Sequence, residues 1–171
     1  MDTKNVMAGR RKPRSELLAQ TALIAAVYGI GTYAIASIAF GPLQLRITDA
    51  LLPIPWNRRV GVAGVLGVTL GVMISNLISP YGFPDLLIGT IANAVVGSLA
   101  YWLGRNQSLG SLVVAALQAS VIVAFLIGVV LLGWVYSTDP VVSFASVLAG
   151  ELVACVGLGI PLTLALKTRF R

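Results

Sequence analysis

Seven side chains of this sequence have the type and placement to hold a solute: Gln44, Arg46, Asp49, Asn76, Asp85, Asn93 and Glu151. Each stands inside or at the edge of a long apolar stretch, where an unpaired charge or amide is costly. Three carboxylates, three amides and one guanidinium make a set that recognises by hydrogen bonding rather than by covalent attack. The sequence contains no histidine, and its one cysteine, Cys155, lies in an apolar run. Metal ligation and thiol chemistry are therefore not expected, nor is any cofactor. No phosphate-binding Walker loop is present, so a role driven by ATP requires partner chains.

Most of these residues also have a plainer reading. Glu151 lies deep in the last apolar run, a place where a carboxylate serves a solute or pairs with a structural cation such as Arg46. Asp85 follows Pro84 at the start of another run and suits helix capping as well as ligand contact. Asn93 falls within about 80° of Asp85 on one helical face. Asn76 and Asn93, each taken alone, read first as helix–helix hydrogen bonds. Arg46 and Asp49, three residues apart, can pair with each other.

The elements that must position these residues are membrane spans. Hydrophobic residues make up 57% of the chain and charged residues 11%, with a mean hydropathy of +0.92, far from a soluble domain of this size. The net charge of +6 does not indicate nucleic acid, because the basic residues gather at the ends of apolar runs. Five runs have spanning length: Leu17 to Phe40, Val60 to Ser79, Pro84 to Gly104, Leu109 to Val135 and Val141 to Leu166. GRRKPR ahead of the first run resembles an export signal, with AIA at Ala34 to Ala36 as a nominal cleavage site. At Leu17 to Phe40 the run is too long for a signal core, and a retained span is expected.

A sixth crossing is decided by charge. If Ile47 to Trp56 also crosses, then Lys4, Arg10, Arg11, Lys12, Arg14, Arg58, Arg59, Arg105, Lys167, Arg169 and Arg171 share one side, and only Arg46 of the twelve basic residues is left out. The expectation is an all-α integral membrane fold: a six-span bundle with a short second segment and both termini cytoplasmic. Residues 1–16 form a basic cytoplasmic segment and 17–171 a single transmembrane domain. As a helix, Arg46 to Trp56 covers about 16 Å of a hydrocarbon core roughly 30 Å thick, so this segment has to be enclosed by other helices. The seven polar residues then collect in the outer half of the membrane, with Phe40, Tyr81, Phe83, Trp134 and Tyr136 at the same level. Such a pocket suits a planar solute rich in hydrogen-bond donors, although the rings also read as an interfacial belt. Ala22 and Ala26, with Ala25 and Gly29, form small-residue frames that let another helix approach, from this chain or from a partner. Gly61, Gly64, Gly67 and Gly71 are read as internal packing.

FGPLQLRITDALLPIP at Phe40 to Pro55, SNLISPYGFPDLLIGTIAN at Ser75 to Asn93, GELVACVGLG at Gly150 to Gly159 and LIAAVYG in the first span together resemble the QueT family. That family consists of substrate-binding S components of energy-coupling factor (ECF) transporters, assigned to queuosine precursors. The resemblance implies a six-helix fold in a prokaryotic cytoplasmic membrane and an outward-facing pocket. It also implies assembly with a transmembrane coupling subunit, contacted through Ala22 and Ala26, and two cytoplasmic ATPase subunits. The family usually carries Glu where this chain has Asp49. A 7-deazaguanine ligand would present adjacent donors to Glu151 and a carbonyl to Arg46, and a cationic arm would suit Asp85. Alternative readings are an S component for another vitamin, a membrane-embedded enzyme using Asp49, Asp85 and Glu151, and a structural membrane subunit; absence of a nucleophile motif disfavours the enzyme.

Overall fold

The computed structural model describes residues 13–41 and 44–169. The basic N-terminal segment therefore lies outside the described residues as far as Lys12, and so does Arg171 at the other end. Helices and helical turns form every regular element among the described residues. They are α1 (Arg14–Ala34), a short α2 (Ala36–Ala39), α3 (Val62–Ser75), α4 (Gly82–Leu103), α5 (Leu109–Val123), α6 (Pro140–Glu151) and α7 (Ile160–Arg169). The last three belong to longer rods. A π-helical stretch, Ala124–Val135, prolongs α5, and another, Leu152–Gly159, joins α6 to α7.

Among the described residues, four rods are long and apolar enough to cross a membrane: Arg14–Ala34, Gly82–Leu103, Leu109–Val135 and Pro140–Thr168. The second apolar run, Val60 to Ser79, gives a shorter helix, Val62–Ile78, than the sequence suggests. Its first residues are taken by a turn in which the Val60 and Gly61 amides donate to the Asn57 carbonyl, and Gly61 has a left-handed φ of 50°.

α1 and α3 meet along a seam of small residues. A Cβ added at Gly71 would stand 2.6 Å from Tyr28 Cβ and 3.2 Å from the Ala25 carbonyl, and one at Gly67 would strike Ile24. Glycine is therefore what allows this approach, and the α3 glycines pack internally, as expected. Ala25 and Gly29 face this seam, whereas Ala22 and Ala26 lie on the exposed side of α1. The two overlapping frames of α1 thus look in different directions.

Between α2 and α3 no α-helix forms among the described residues. Pro53 and Pro55 remove two amide donors that an α-helix would use. The chain closes instead into two 3₁₀ turns, Ile47–Leu51 and Ile54–Trp56. At about 2 Å per residue, this segment reaches roughly 20 Å, still short of a hydrocarbon core. It is buried from Leu52 to Asn57. It packs so tightly on the Leu152–Gly159 stretch that a Cβ at Gly159 would lie 2.9 Å from the Ala50 carbonyl. Enclosure by neighbouring helices supplies the partners that lipid cannot.

Candidate functional site

The segment that cannot be an α-helix carries the polar residues into the bundle. Gln44, Arg46 and Asp49 from this segment meet Glu151, the last residue of α6, around one small cavity that Val123, Ile127 and Val147 complete. Its free volume is about 10 Å³, room for one water at most, against the roughly 300 Å³ of an ordinary small-molecule site. The side chains nearly fill the space. Gln44 is held at a left-handed φ of 43°, an uncommon conformation for a residue with a side chain.

Asp49 and Glu151 are 1% and 2% exposed, so each charge needs a partner. Asp49 accepts a hydrogen bond from the hydroxyl of Tyr28, itself fully buried in α1. Beside these two, Thr32 and Thr48 join their hydroxyls at 2.6 Å and tie the segment to α1. The Cys155 sulfur lies 3.2 Å from the Asp49 carbonyl and 3.4 Å from Glu151 Oε2. Ser120 Oγ in α5 stands 3.1 Å from the Glu151 carbonyl, where the α-helix gives way to the π stretch. Such π insertions often occur at functional sites, because they re-aim side chains without ending a helix. The Arg46 guanidinium lies over the Phe40 ring, 5.2 Å from its centre, within electrostatic reach of Tyr28, Asp49 and Asp85.

Asp85 and Asn76 form an adjoining pair. Asn76 Nδ2 donates to the Asp85 carbonyl at 2.9 Å, and Ser79 Oγ donates to Asp85 Oδ2 at 2.5 Å. Asp85 Oδ1 and Asn76 Oδ1 are buried without a hydrogen-bond partner. Capping does not account for Asp85, since its carboxylate bonds Ser79 and α4 has no side-chain cap. Asn93 points to the helix–helix alternative: its Nδ2 donates to the Val68 carbonyl of α3 at 3.2 Å. It nonetheless borders the site, next to the Tyr28 hydroxyl.

Four of the seven sequence candidates thus surround one cavity, two form its neighbour, and Asn93 braces the helices behind. The aromatics divide between the two readings open to them, pocket wall and interfacial belt. Phe40 underlies Arg46, Tyr81 and Tyr136 pack edge to face at 5.3 Å, and Phe83 and Trp134 turn outward. Tyr28, Ser79 and Cys155 are partners that the sequence reading omitted. A usable signal existed for Tyr28: a phenol in the middle of an apolar span must find a polar partner.

A helical membrane protein whose central polar residues converge on a single enclosed site belongs to the class that handles small solutes, as transporters do. The model of the family described as QueT transporter matches residues 18–168, and the chain belongs to that family. No curated protein matches the chain, and no solved structure does.

Proposed function

We propose that this chain is the substrate-binding S component of an ECF-type transporter, capturing a queuosine precursor of the 7-deazaguanine type for ATP-driven uptake. In this reading it performs no chemistry on its ligand. It crosses a prokaryotic cytoplasmic membrane six times with both termini inside, the segment around Ile47–Leu51 and Ile54–Trp56 providing the second, enclosed crossing. Ala22 and Ala26, exposed on α1, would receive the coupling subunit, which carries the two ATPases.

One observation carries the ligand assignment. The buried site holds three carboxylates, Asp49, Asp85 and Glu151, against one guanidinium, Arg46, and two acceptor oxygens beside it have no donor. Such a site favours a solute bringing several donors. The Watson–Crick edge of a 7-deazaguanine presents N1–H and an amine side by side to Glu151, and its carbonyl suits Arg46 or Gln44. A cationic arm would complete Asp85 Oδ1 and Asn76 Oδ1. Because the free volume is small, a bicyclic base enters only when the wall formed by Gln44 and Arg46 moves aside.

Direct titration of the purified full chain tests the reading. A 7-deazaguanine with an aminomethyl arm should bind strongly, and a flavin or a thiamine-like vitamin should not. Equal binding of all three, or of a different vitamin alone, would discard the ligand assignment.

A further inference from the structure

Another cavity shares no lining residue with the carboxylate site and is opposite in charge. About 310 Å³ in volume, it is lined by Pro55, Trp56, Arg58, Tyr101, Gly104 and Arg105, with no acidic side chain among them. Its floor is fixed. Trp56 is fully buried, its indole N–H donates to Ser111 Oγ at 2.8 Å, and Lys167 Nζ lies 4.8 Å from its ring centre. Gln107, with a left-handed φ of 51°, donates from Nε2 to the Trp56 and Gly104 carbonyls at 2.5 and 2.6 Å. A Cβ at Gly104 would collide with the Trp56 carbonyl, so the loop after α4 closes on this floor only with glycine there.

The carbonyls at a helix C-terminus ordinarily repel an anion. Here Gln107 occupies that of Gly104, and Arg58 donates to that of Arg105. A guanidinium has five N–H donors, so Arg58 keeps others for a second acceptor. Arg58 and Arg105 are exposed at the mouth. Tyr101 and Trp102, 44% and 57% exposed at the end of α4, mark the level at which amphipathic rings meet lipid headgroups.

We propose that this cavity is a binding site for the phosphodiester of an anionic lipid headgroup. Two guanidiniums suit a phosphate, the tyrosine flanks the glycerol, and the half-apolar walls accept the start of an acyl chain. A headgroup carrying its own cation, such as choline, is disfavoured beside Arg58 and Arg105, and one without an amine is favoured.

The test is a lipid titration of the delipidated full chain, read by native mass spectrometry. The probes are phosphatidylglycerol, phosphatidylcholine and inorganic phosphate. Phosphatidylglycerol should bind in preference to phosphatidylcholine, and the pair Arg58→Gln with Arg105→Gln should weaken it about thirtyfold. Arg105→Gln alone, which leaves the Arg58 bond intact, should weaken it about fivefold. The control pair Arg14→Gln with Arg59→Gln removes the same charge outside the cavity and should change little. Equal loss in the control pair would mean diffuse attraction to the surface and overturn the site. So would equal affinity for phosphatidylcholine, or binding of inorganic phosphate with no lipid bound.

Discussion

The enclosed segment between α2 and α3 has two halves whose polar and aromatic anchors, Gln44, Arg46 and Asp49 in one and Trp56 in the other, are all buried, and which are built differently. Its far half, Leu52 to Trp56, is anchored: Trp56 has its indole N–H on Ser111 and its carbonyl under Gln107, and its ring packs with Ala100, Leu112 and Ala115. Its near half, Gln44 to Asp49, brings charged side chains to the cavity, Asp49 held by the Tyr28 hydroxyl and Arg46 lying over the Phe40 ring, beside acceptor oxygens of Asp85 and Asn76 that have no donor. Burial alone therefore does not separate scaffold from site. The balance of donors and acceptors does, because a structural element gains by satisfying every polar atom, and a site keeps some for its ligand.

The largest effect should come from the anchored half. Trp56→Ala removes a fully buried ring and leaves a cavity, a change that costs about 3–5 kcal/mol. Thermal unfolding of the purified protein should shift steeply downward, yet the fraction still folded should bind ligand as before. Lost affinity without lost stability would show that the two halves are not separable.

In the near half the order reverses. Glu151→Gln keeps the shape but turns an acceptor into a donor that faces a donor. Ligand affinity should fall by about 2–4 kcal/mol, or roughly 30-fold to 1000-fold, with little change in unfolding temperature. Near-native affinity would return Glu151 to a structural role. Arg46→Lys separates charge from shape. It should bind nearly as poorly as Arg46→Ala if the planar fork is read, and clearly better if only the charge is used.

How much of this was legible in the sequence follows from the same contrast. Gln44, Arg46, Asp49 and Glu151 stood out because charge within an apolar run is costly wherever the run folds. Their meeting was not legible, since it depends on a backbone that Pro53 and Pro55 force out of the α-helix and on a π stretch that starts beside Glu151. Asp85 looked like a cap from its place after Pro84, and only the fold shows Ser79 taking its carboxylate. Spacing along the chain does not give direction, so the two readings of the rings stayed open: Phe83 is 71% exposed, as a ring of an interfacial belt is, whereas Phe40 lies under Arg46. Glycines spaced along α3 announced a close seam, and a seam is a local property that sequence does carry.

That seam connects scaffold and site, and a smaller effect is expected there. Gly71→Ala places a methyl against Tyr28 Cβ, an overpacking that costs about 1–3 kcal/mol. Tyr28 also donates to Asp49, so this change should lower both the unfolding temperature and the ligand affinity. Stability lost without affinity would mean that the Tyr28 bond survives the displacement of α1.

The smallest effect on the isolated protein is expected on the other side of the same helix. Ala25 and Gly29 are buried against α3, whereas Ala22 and Ala26 face outward one step round α1. Ala26→Leu therefore meets no neighbour within the chain, and its effect on stability should stay within about 0.5 kcal/mol, as for substitutions remote from any packed feature. Solitary ligand binding should be unchanged. Under the proposed assembly, however, a bulky side chain at Ala26 holds a partner helix away from a face that small residues keep open. Co-purification with the coupling subunit and uptake should both fall. If both persist with Ala22→Leu and Ala26→Leu combined, the outward frame is a lipid-facing surface and the partner docks elsewhere.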